Sequence, residues 1–160
     1  TAFSCLINEG GTTLRRPFTR ASVLFLWEEI MFLKLEEVHD FLKENSLYDD
    51  HTHVIWATIR TGGTSNAYFI LAFTLDNLVI LDITAMGKIA GIGRIYPAEE
   101  ILSAELKKKL LFGYQFCFET AEGIHKLHVN KGILGTKWHA EEFQALLSST
   151  DYPYFRFSKE

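Results

Sequence analysis

Two imidazoles stand two residues apart in His51-Thr52-His53. In an extended segment that spacing turns both to one side, as adjacent ligands of a metal ion would be. His139 or Asp49 would have to complete the site, since three or four convergent groups are needed and no spacing here fixes the third. Histidines that simply begin a strand are the plainer account. His125 and His128 fall on opposite faces of a strand and make poorer partners still. A thiol nucleophile is the second chemistry to weigh. Alternation in Tyr114-Gln115-Phe116-Cys117-Phe118-Glu119 sets Tyr114, Phe116 and Phe118 on one face and Cys117 on the other, with no histidine placed beside it as a base. Gly87-Lys88-Ile89-Ala90-Gly91-Ile92-Gly93 brings glycines near a lysine, as phosphate loops do. It lacks the spacing of such a loop and does not join a strand pattern to a helix pattern, so it reads as a flexible β connection. No catalytic constellation stands out, and no cofactor or metal is expected.

Cations offer a third possibility. Lys107-Lys108-Lys109 is a run of like charge that would suit a groove for an acidic partner, and Lys126, Lys131 and Lys137 are positioned in sequence to join it. As part of a strand the run divides its side chains between two faces, and lysines guarding a sheet edge against unwanted pairing explain it as well. The candidate ligand-binding residues are Arg60, Lys107, Lys109, Lys131 and Lys137.

These residues must be positioned by something, and the patterning says what. With 160 residues, 48% hydrophobic and 13 Phe, the chain is long enough for one real core. A net charge of −4 argues against nucleic acid or an anionic membrane as an obligatory partner, because both need a clustered positive field to offset phosphate repulsion, and it leaves room for a local basic patch. Cys5 and Cys117 form no disulfide framework, which points to a reducing cytoplasm.

Residues 1–30 read as a separate N-terminal arm. Leu14-Arg15-Arg16-Pro17-Phe18 ahead of Ala21-Ser22-Val23-Leu24-Phe25-Leu26-Trp27 has the look of a secretory start, but the apolar run meets Glu28-Glu29 at once and lacks a small-residue cleavage site. Trp27-Glu28-Glu29-Ile30-Met31 is encodable by a purine-rich ribosome-binding sequence followed by a start codon. Either Met31 is the natural initiator and residues 1–30 are upstream sequence, or the arm is an ordinary one that packs on the domain.

From Phe32 to Glu44 the apolar residues Phe32, Leu33, Leu35, Val38, Phe41 and Leu42 recur at helical spacing, predicting an amphipathic helix and loop over 31–50 that covers a sheet edge or offers its stripe to a neighbour. Strands follow at 53–60, 67–73 and 78–83, the first two joined by the turn Thr61-Gly62-Gly63-Thr64-Ser65-Asn66 and the third apolar enough to be covered on both faces. Residues 84–93 are a loose connection to Arg94-Ile95-Tyr96. The spacing of Ile101, Leu102, Leu106, Leu110 and Leu111 would also fit a helix, but a turn near 97–100 and a strand at 101–108 is the preferred reading, and further strands fall at 114–119 and 124–129. A helix begins at Trp138. The tail 150–160 holds Tyr152, Tyr154, Phe155 and Phe157, which would pack on the domain, add a strand to an edge or bind another chain.

The succession Phe69-Ile70-Leu71-Ala72-Phe73-Thr74-Leu75-Asp76-Asn77-Leu78-Val79-Ile80, then Leu110-Leu111-Phe112-Gly113-Tyr114, then Val129-Asn130-Lys131 with Gly135-Thr136-Lys137-Trp138, resembles the bacterial pleckstrin-homology-like domains across residues 53–148. The resemblance implies a mainly β, α+β fold over 51–149: a partly open antiparallel barrel of two packed sheets, stoppered by the C-terminal helix with Trp138 and Phe143 as the plug. It implies binding rather than catalysis. Lipid-reading members surround the first hairpin with Lys and Arg to hold inositol phosphates. Here Arg60 stands alone beside that turn, so phosphoinositide binding is not expected and peripheral membrane contact is left open. The expected function is a non-enzymatic, cytoplasmic module for protein interaction or self-association, through a strand edge or the groove beside the last helix. The alternative is a small metal-dependent enzyme using His51, His53 and His139.

Overall fold

The computed structural model describes residues 32–62, 65–133, 136–149 and 151–157. Backbone contacts divide the chain into Thr1–Ile30 and Met31–Glu160, and the described residues all belong to the second unit. The N-terminal arm, Met31, Cys5 and the centre of the first hairpin turn lie outside the described residues.

Helix α1 spans Leu35–Glu44 and starts three residues later than the periodicity predicts. The reason lies in Lys34, which is extended and whose N–H donates to the Glu37 carboxylate at 2.8 Å, closing the first turn. Strands β1 (His53–Gly62), β2 (Ser65–Phe73), β3 (Asn77–Ile83) and β4 (Ile89–Pro97) follow as an antiparallel meander. A short 3₁₀ turn, Ala98–Glu100, leads to β5 (Ser103–Lys108), β6 (Tyr114–Thr120) and β7 (Gly123–Val129). Helix α2 spans Lys137–Ser148, and the tail forms β8 (Phe155–Phe157). Strand β4 begins five residues before the expected Arg94. Of the glycines read as a loose connection, Gly91 and Gly93 sit within it, where two register shifts against β3 show the extra residues of bulges, while Gly87 stays in the turn.

The strands make one sheet in the order β4-β3-β2-β1-β7-β6-β5-β8, antiparallel throughout except for β8, which runs parallel to β5. The β1–β7 seam is thin, with Thr58 and His128 the one aligned pair. About that seam the sheet curls on itself without closing. Phe73 of β2 meets Phe116 of β6 at 5.3 Å between ring centroids, and Tyr96 of β4 meets Phe118 of β6 at 5.0 Å, contacts that a flat sheet would forbid. Odd positions of β1 and β2 (Ile55, Ala57, Leu71, Phe73) line this inner core, while even positions (Val54, Trp56, Ile70, Ala72) face outward into a second core. Helix α1 covers that outer face with Val38 and Leu42 rather than an edge, so β3 is indeed buried on both sides.

Helix α2 does two jobs. Its inward stripe is His139, Phe143 and Leu146, all fully buried. Trp138 turns instead to the outer core, 6.4 Å from the Trp56 ring, and its Nε1–H donates to the Leu33 carbonyl at 2.9 Å. Trp138 and Phe143 are five residues apart, roughly 140° around a helix, so they cannot share a face, whereas His139 and Phe143 can. The inner plug is therefore Phe143 with His139. Where β7 has departed from β1, α2 also stands in for a missing strand: the N–H groups of Val54 and Trp56 donate to Glu142 Oε2 at 3.0 Å and His139 Nδ1 at 3.0 Å.

The tail both packs and pairs. Tyr152, Tyr154 and Phe155 are buried in the inner core, and β8 extends the sheet beyond β5. Asp49 supports the same region, accepting from the N–H of Leu75 and of His51, each at 2.8 Å.

Candidate binding surfaces

An α-helix of ten residues is only about 15 Å long, so α1 cannot cover the whole outer face. Where its cover ends, a cavity of about 300 Å³ opens. Phe32 and Leu33 ahead of α1, Trp56 and Tyr68 of the sheet, the β3–β4 turn from Ile83 to Gly87, and Ile133 with Thr136 before α2 form its walls. The lining is almost entirely apolar, with Met86 72% exposed at the rim. One polar group is left over. The indole Nε1–H of Trp56 is buried and has no acceptor among the described residues, whereas its neighbour Trp138 has one. A buried donor without an acceptor costs about 1–3 kcal/mol. The donor lies behind the cavity wall, with no accessible surface of its own, so the cavity itself is an apolar one.

The histidines are spent on structure. His51 Nδ1 lies 3.0 Å from Asp151 Oδ2, and His53 Nδ1 lies 3.2 Å from Glu142 Oε2, two contacts that hold the start of β1 to the tail and to α2. His139 uses both nitrogens: Nδ1 accepts from Trp56, which fixes the proton on Nε2, and Nε2–H donates to the Asn130 carbonyl at 2.6 Å. Burial holds the His139 imidazole below its usual range, partly offset by the Asn130 hydrogen bond. With both nitrogens occupied it cannot complete a site with His51 and His53. Among the described residues no group of three or more His, Cys, Asp or Glu could hold a metal ion.

Cys117 is a half-buried free thiol on the outer face of β6. Arg60 lies near the β1–β2 turn, paired in register with Asn66. Lys107 is near the end of β5 and Lys109 just after it, while Lys131 follows β7 at the same end of the sheet, since Lys108 aligns with Tyr114 and Tyr114 with Val129. That end is the opposite one from Arg60, because the register runs Thr58 to His128 across the seam. Lys137 opens α2. The five cations thus do not form one group. A second cleft, of about 430 Å³, lies between β4 and the β6–β7 turn. Its Arg94 guanidinium is engaged by the Glu122 carboxylate and by the Tyr96 ring, and Glu99 and Glu100 stand beside it.

No protein-family model matches the chain, and no curated protein matches it.

Sequence reasoning missed the cavity beside Trp56 and Glu142 as a strand surrogate. The β-branched and aromatic run of β1 was visible. Its missing β7 partner was not, because that depends on where the sheet bends.

Proposed function

We propose that this chain is a non-enzymatic binding module of the pleckstrin-homology-like kind, working in the cytoplasm, that holds a protein partner or a second copy of itself at the cavity beside Trp56. The meander of seven antiparallel strands and the helix after β7 support the type. Among the described residues no helix is long and apolar enough to cross a membrane. Of the two surfaces that could receive a protein, the free edge β4 is blunted by its bulges and by Pro97. The apolar cavity, which reaches Ile133 and Thr136 just ahead of α2, is the better one.

The observation that carries this reading is the apolar cavity beside Trp56, with Met86 and Tyr68 exposed at its rim. An apolar anchor from the partner would fill it. Burying one Leu- or Phe-sized anchor is worth about 1.5–3 kcal/mol. That alone falls short of millimolar binding, so the cavity selects the partner while the rim around Met86 and Tyr68 supplies the remaining affinity.

The indole N–H resonance of Trp56 is the reporter. Docking should move it and leave that of Trp138 in place. Sedimentation at two concentrations tells self-association from binding of a different protein. Ala85→Phe, placing a ring at the cavity wall, should abolish the association, and Met86→Ser, removing the apolar rim, should weaken it roughly tenfold. Association indifferent to both substitutions would overturn the proposal.

A further inference from the structure

The β5–β6 turn carries a second surface, unconnected with the cavity. Leu110, Leu111 and Phe112 are 99%, 80% and 80% exposed, three consecutive large apolar side chains at a loop tip. They follow directly on Lys107, Lys108 and Lys109, all exposed, and Lys131 emerges at the same end of the sheet. The tip is held out by design of the backbone. The Lys109 N–H donates to the Gly113 carbonyl at 3.0 Å, closing the loop, and Gly113 adopts φ +67°. A Cβ at Gly113 would come within 2.8 Å of the His128 ring and of the Val129 carbonyl, so the base of the loop is pressed against β7.

We infer that this tip inserts into an anionic lipid surface. An apolar wedge backed by ammonium groups matches the layering of a bilayer, hydrocarbon beneath anionic headgroups. The same arrangement disfavours a second copy, because two tips meeting would bring like charges together. Three side chains on a convex tip also fall well short of the roughly 800 Å² per partner of a stable protein interface, whereas fluid hydrocarbon closes around a wedge of any shape. Glu105 stands 2.6 Å from Lys107 and draws on its charge, so Lys108 and Lys109 carry most of the attraction. With a net charge of −4 the rest of the chain repels such a surface, which makes the attachment reversible and strongly salt-dependent. The inference requires no phosphate cage and does not rest on the cavity beside Trp56.

The test is co-sedimentation of the full chain with phosphatidylcholine vesicles, with and without phosphatidylserine. Binding should require phosphatidylserine and fall as salt is raised. Leu111→Ser and Phe112→Ser should each weaken it roughly tenfold, and Lys108→Gln and Lys109→Gln each roughly fivefold. These side chains are exposed, so thermal unfolding should be unchanged and a loss of binding is not a loss of fold. Phe112→Trp should show a blue-shifted emission on vesicles that contain phosphatidylserine. Equal binding to both vesicle types, no binding to either, or binding unmoved by the tip substitutions would each overturn the inference. So would a concentration-dependent dimer abolished by Leu111→Ser, which would assign the tip to a second copy.

Discussion

Replacing His139 by Leu removes one of the two side chains, with Glu142, that reconcile β1 with its missing neighbour. The imidazole accepts from the Trp56 N–H at 3.0 Å and donates to the Asn130 carbonyl at 2.6 Å, and it is fully buried. Leucine fills comparable space but leaves one donor and one acceptor unpaired, at about 1–3 kcal/mol each. A loss of about 2–6 kcal/mol is therefore expected, a large part of the 5–15 kcal/mol that holds a domain together. The substitution also changes the pH dependence. Burial lowers the folded-state pKa of His139 below its ordinary 6.5, and the geometry agrees, since a proton on Nδ1 would face the Trp56 N–H. The unfolded chain then binds more protons than the folded one as pH falls through 6.5. The stabilisation is complete above that value and is lost below it, down to the folded-state pKa, by about 1.4 kcal/mol per pH unit. Urea unfolding of the wild type and of His139→Leu, at about pH 7.5 and about pH 5.5, measures both effects. The variant should be weaker at the higher pH and should lose less on acidification. A variant as stable as wild type, or with an unchanged pH dependence, would refute the role given to this imidazole.

Two further outcomes follow from single contacts. Gly113→Ala should cost about 1–3 kcal/mol in chemical denaturation, because φ is +67° and the added carbon meets the Val129 carbonyl, which as backbone cannot swing aside. Gly132→Ala, where nothing lies within 4 Å, serves as the control and should change little. At the alkaline end, burial pushes the phenols of Tyr152 and Tyr154 well above their usual 10.0, helped by the negative field of Asp49. Their contribution is intact below pH 10 and is lost as pH rises beyond it, because there the unfolded chain releases protons that the folded chain keeps. Tyr154→Phe, which also removes a donor to the Thr74 carbonyl at 2.7 Å, should lower stability near neutral pH and flatten the alkaline decline, read by tyrosinate absorbance during titration.

Local periodicity carried most of the secondary structure. The β-branched and aromatic enrichment of His53–Arg60, the apolar run at 67–73, the helical spacing of Val38 and Leu42, and the pattern after Trp138 are each short-range consequences of which faces of an element must be dry. Where the sequence misled, two local signals competed. Gly91 and Gly93 read as a connection because glycine favours loops, and only their pairing with β3 makes them members of a bulged strand.

The sequence by itself determined that this chain has strands with two apolar faces, an amphipathic helix ahead of them and another behind, and an aromatic tail in need of cover. Tertiary structure decided the rest. Whether Trp138 or His139 enters the core depends on the angle at which α2 meets the sheet. That Val54 and Trp56 need acceptors from a helix depends on where β7 leaves β1. Such facts are set by distances between residues far apart in the chain. They arise from the closing of the fold, which no local window of sequence contains.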